Sequence, residues 1–61
     1  MSKWKIIPME MPTDGQHVTI RLYNPYSYPL MAVYDATLQL FILDGLGLNY
    51  PIYTVFKWQP I

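Results

Sequence analysis

Six prolines and three glycines punctuate this chain of 61 residues, and no stretch of it sustains a helical period over ten residues. What remains is alternation. From His17 to Tyr23, Val18, Ile20 and Leu22 fall on one side and His17, Thr19, Arg21 and Tyr23 on the other, which is the period of a half-buried strand. Pro12-Thr13-Asp14-Gly15 leads into it, a turn in which proline presets φ and glycine supplies φ > 0. Asn24-Pro25-Tyr26-Ser27-Tyr28-Pro29 leads out. Its two prolines rule out a regular central strand, so it reads as a loop carrying two tyrosines.

A run from Leu30 to Tyr34 and another from Leu38 to Leu43 flank Asp35-Ala36-Thr37, the spacing of a hairpin with a three-residue connection. In the second run Leu38, Leu40 and Ile42 share one face, and Gln39, Phe41 and Leu43 the other. Both faces are largely apolar, as in a strand covered on two sides or set against another chain. Asp44-Gly45-Leu46-Gly47 makes the next turn. Ile52 to Trp58 is the last strand, with Ile52, Thr54, Phe56 and Trp58 alternating against Tyr53, Val55 and Lys57. Trp4-Lys5-Ile6-Ile7, cut short by Pro8 and Pro12, is a short edge strand or an extended N-terminal arm. The expected fold is a single all-β domain over residues 1–61. It is an antiparallel meander of three to four strands curled into a barrel-like sheet.

A chain this small hides only about 60% of its unfolded surface, and small domains make up the shortfall with disulfides, a metal or association. The absence of cysteine removes disulfides, thiolate ligands and Cys nucleophiles. One histidine leaves too few nitrogens for zinc. Only 13% of residues are charged, while 52% are hydrophobic and 16% aromatic; against a usual charged share of about 25%, that is more apolar surface than so small a body hides. The chain is therefore expected to associate. Four basic against four acidic side chains provide no electrostatic footprint for nucleic acid. Asp35, Gln39 and Asp44 interrupt the apolar runs well short of the ~20 residues of a membrane helix. Lys3 and Lys5 lead into a stretch broken by Pro8, Glu10 and Pro12, unlike a secretory leader.

Few residues suggest chemistry. His17 with Asp14 or Asp35 is the only acid/base combination, and a triad needs Ser27 or a threonine as nucleophile. Nothing places these together, and no enzymatic activity is expected. Glu10, Asp14, Asp35 and Asp44 all lie in turns, where Asp is favoured because it binds nearby backbone amides. Gly45-Leu46-Gly47 lacks the third glycine and following helix of a dinucleotide site, so no cofactor is expected. Arg21 and Lys57 lie mid-strand and make a small positive spot if their strands are neighbours.

The aromatics are more informative. Trp4, Tyr23, Tyr26, Tyr28, Tyr34, Phe41, Tyr50, Tyr53, Phe56 and Trp58 are too many for one thin core. Tyrosine and tryptophan combine apolar area with a polar handle, which enriches them at interfaces. A protein contact is expected through Tyr23, Tyr26, Tyr28, Phe41 and Tyr53. Sugar stacking and a groove for proline-rich peptides are the alternatives.

Trp4, Pro8, Pro12, Gly15 and Val18, then an apolar hairpin with a tyrosine, then Trp58-Gln59-Pro60, spell W-x3-P-x3-P-x2-G-x2-V followed by a closing W-x-P. In that order the chain resembles a short domain of unknown function common in phages and prophages. It is also similar to small proteins of tailed phages with a proline- and tyrosine-rich loop after the first strand. The resemblance implies a small β fold whose two terminal tryptophan segments pack together, and a phage source; it implies no activity. Leu38-Gln39-Leu40-Phe41-Ile42-Leu43 is greasier than that pattern. The resulting expectation is a structural or assembly protein of the virion, or of the infected cytoplasm, that docks on itself or on a capsid or tail protein. A small module for a glycan or peptide, and a phage inhibitor of a host protein, are the other readings.

Overall fold

The computed structural model describes residues 4–24, 26, 28–45 and 47–61. Among the described residues six strands form: β1 Lys5–Ile6, β2 His17–Leu22, β3 Leu30–Asp35, β4 Leu40–Leu43, β5 Asn49–Pro51 and β6 Val55–Pro60, with a 3-10 turn at Ile52–Thr54. They make one antiparallel sheet in the order β1-β6-β2-β3-β4-β5. The fold is all-β as expected, but with six strands rather than three to four, and the sheet is not closed into a barrel. The extra strands, β1 and β5, have two and three residues, too few to display a period in sequence. The N-terminal arm is an edge strand, Lys5 opposite Trp58 and Ile6 opposite Lys57.

Strand order alone dictates curvature. β5 and β6 stand four places apart, ~19 Å on a flat sheet at ~4.8 Å per strand. The backbone from Pro51 to Val55 reaches at most ~14 Å, so the sheet has to curl to let the 3-10 turn join them. Its inner face collects Val18, Ile20, Ala32, Tyr34, Phe41, Val55 and Trp58, with Ile7 closing one end. The alternation read in β2 holds, since Val18 and Ile20 are fully buried and Leu22 packs against them.

The Leu38–Leu43 run begins later than its apolar character suggests. Asp35 Oδ1 accepts from the Leu38 amide at 3.0 Å, and Gln39 takes a left-handed φ of 54°, so Leu38 and Gln39 belong to the turn and β4 starts at Leu40. Asp14 Oδ1 accepts from the Ala36 amide at 2.9 Å, tying the turn before β2 to the turn after β3. Gly15, at φ +80°, donates to the Tyr34 carbonyl at 2.7 Å. At the other side of the sheet, Trp58 Nε1 donates to the Glu10 carbonyl at 2.9 Å, which fixes the segment after β1.

Phe41→Ala removes a fully buried ring and is expected to cost about 3–5 kcal/mol, read as a lower urea midpoint or outright unfolding. Gly15→Ala meets open space but holds a methylated residue in the left-handed region, so a loss of about 1–2 kcal/mol is expected in the same assay.

Candidate functional site

The ladder between β2 and β6 slips at one point. Arg21 faces Lys57, yet the next residue, Leu22, faces Val55, so Phe56 is an extra residue. Such a bulge sets two residues of one strand against one of the other and re-aims their side chains. Val55 and Trp58 are buried, whereas Phe56 is exposed and Lys57 half-buried. This departs from the even alternation expected for Ile52 to Trp58, because the 3-10 turn and the bulge each break the period. Phe56 is thereby turned outward beside Tyr23, with ring centroids 5.4 Å apart and planes tilted 38°.

Tyr23, just beyond β2, is the shared wall of two clefts. One, about 270 Å³, is lined by Ile7, Pro8, Tyr23, Ile52 and Tyr53; the other, about 240 Å³, by Arg21, Leu22, Tyr23, Phe56 and Lys57. The first is mostly apolar and gathers the residues following β1 and β2 with the 3-10 turn. That turn is held by the Thr54 hydroxyl, which donates to the Pro51 carbonyl at 2.7 Å, and by the Ile52 amide, which donates to the Gln39 carbonyl at 3.2 Å.

Of the residues expected at the contact, Tyr23 and Tyr53 come together across the first cleft, at 62% and 79% exposure. Tyr26 and Tyr28 are exposed at 89% and 83% on the loop after β2 and line neither cleft. Tyr26 donates its amide to Asn24 Oδ1 at 2.9 Å; Pro25 and Ser27 of that loop lie outside the described residues. Phe41 has to be withdrawn from the contact: it is fully buried, its ring 5.0 Å from that of Tyr34. With both faces of its run apolar, alternation could not say which face turned inward. Ile7, Pro8, Ile52 and Phe56 were missed. Pro8 reads in sequence as a breaker and a motif residue rather than a contact, and a bulge leaves no mark in hydropathy.

Arg21 and Lys57 are direct cross-strand partners. Like charges so placed disfavour the pair by a few tenths to about 1 kcal/mol. Lys57 Nζ lies over the rings of Trp4 and Phe56, at 5.1 and 5.6 Å, which offsets part of that cost. Arg21 Nε is shut from solvent with no acceptor, a state costing about 1–3 kcal/mol. The carboxylates are engaged elsewhere: Glu10 with Lys5 at 3.2 Å, Asp14 and Asp35 with backbone amides, and Asp44 Oδ2 at 4.0 Å from His17 Nδ1. His17 therefore meets neither Asp14 nor Asp35, and Ser27 lies outside the described residues, so no triad geometry forms among them. No three His, Asp or Glu side chains among the described residues converge as a metal site. Nor is any helix there long and apolar enough to cross a membrane.

Comparison with protein-family models, with curated proteins and with solved structures found no match to this chain.

Because Tyr53 is exposed, Tyr53→Ala is expected to shift unfolding by no more than about 0.5 kcal/mol. Tyr23→Ala also loses its ring contact with Phe56 and is expected to cost about 0.5–1.5 kcal/mol. Urea denaturation followed by tryptophan fluorescence checks both.

Proposed function

We propose that this chain is a non-enzymatic docking module, a structural or assembly component of a phage that binds a second copy of itself or a capsid or tail protein through the surface centred on Tyr23. The supporting observation is the pair of exposed rings, Tyr23 and Tyr53, walling an apolar cleft. Loose packing does not account for their exposure. The accessible surface of 4300 Å² is close to the ~4,100 Å² typical of a folded monomer of this mass, so the core is closed and these rings lie outside it. Tyrosines offer large contact area at small entropic cost, which is why interfaces use them. The phage setting, in the virion or the infected cytoplasm, is supported by the tryptophan, proline and glycine pattern alone.

The aromatic walls of the first cleft also favour a second reading, a module for an extended peptide or a glycan. A host protein bound by a phage inhibitor would use the same surface.

Size exclusion with light scattering at micromolar concentration, with and without virion proteins, tests the first reading. The expected result is association that weakens about tenfold or more in the Tyr23→Ser, Tyr53→Ser double variant, whose fold is checked by circular dichroism. A folded native monomer with no affinity for virion proteins overturns it. A glycan array with tyrosine fluorescence quenching separates the second reading, since an assembly protein shows neither signal.

A further inference from the structure

Among the described residues, Arg21 and Lys57 are the cations left without an ion pair to a carboxylate. They stand opposite one another on β2 and β6, line one cleft, and share the Tyr23 wall with the apolar cleft beside it. A guanidinium presents a planar fork of donors to an oxyanion, and an ammonium seated on two rings keeps N–H groups to direct at the same group. Tyr23, Phe56 and Leu22 form the remaining lining, an apolar border beside the two cations.

We infer that the Arg21–Lys57 cleft takes the carboxylate of an acidic residue in an extended peptide segment of the docking partner, and that an apolar side chain two residues away fills the cleft between Tyr23 and Tyr53. This deepens the docking reading and rests on it. In an extended chain, residues two apart project to the same side ~6.6 Å from one another, which lets one segment address two clefts that share the Tyr23 wall. A free oxyanion satisfies the cations but leaves the apolar cleft empty. The peptide meets both.

The test titrates the full chain, labelled with ¹⁵N, with acetyl-Thr-Ile-Thr-Glu-Thr-amide and with its glutamine counterpart at low salt. The glutamate peptide is expected to bind about fivefold or more tightly than the glutamine one and to shift the amides of Arg21, Tyr23 and Lys57. That preference should shrink to about twofold or less in Arg21→Met, in Lys57→Met, and for the native chain in ~0.5 M NaCl. The salt arm needs no variant, so a misfolded substitution does not blunt the test. Equal affinity of the two peptides, or no binding by either, overturns the inference. Inorganic phosphate matching the glutamate peptide in affinity and shifts also overturns it, in favour of a free anion. If the two peptides bind equally but lose affinity in the Tyr23→Ser, Tyr53→Ser variant, the carboxylate inference fails while the docking reading stands. If binding survives that double variant undiminished, the docking reading fails too.

Discussion

Three residues, Ile52–Thr54, connect strands that stand four places apart in the sheet, and the shape of the molecule depends on that short reach. A flat sheet cannot accommodate it. Curling follows, and with it an inner face on which Val18, Ile20, Phe41, Val55 and Trp58 meet. The same turn carries Ile52 and Tyr53 to the place where β1 and β2 end, opposite Ile7, Pro8 and Tyr23. The constraint that makes the core therefore also makes the cleft.

The bulge at Phe56 is the second device. In a regular ladder the alternation of β6 would set Phe56 on the face of Trp58, inside. One extra residue instead places Phe56 and Lys57 outward together, where they join Arg21 and Tyr23. The result is a cationic and aromatic corner whose members come from two strands and which is costly in isolation. A chain of 61 residues has little stability to spare, and two opposed cations with a desolvated guanidinium nitrogen weigh against it.

Much of the fold was legible in the residues. Val18, Ile20 and Leu22 alternate so cleanly that β2 could be placed, Asp14 and Gly15 marked its approach, and the apolar run of β3 was visible. Turn chemistry predicted the role of Asp35, which takes the amide three residues on, whereas Asp14 accepts from the Ala36 amide of a different turn, which no local rule supplies. Less legible were β1 and β5, whose lengths fall below any period, and the orientation of β4, whose two faces are both greasy. Tyr23 and Tyr53 could be named as exposed rings, yet their adjacency is a product of long-range curvature. The pairing of Arg21 with Lys57 was conditional on strand neighbours, and the ring of Phe56 depended on a one-residue slip that no local pattern announces.

The strand lengths carry a further consequence. The outer strands of the sheet are β1, with two residues, and β5, with three that include Pro51, which has no N–H to donate. Little unpaired main chain is left for a foreign strand to zip onto. Growth by adding strand to strand, the route to fibrils, is thus blunted at both borders despite the greasy composition. Any contact with other molecules is left instead to side chains, whose shape and charge can discriminate between partners in a way that bare backbone cannot.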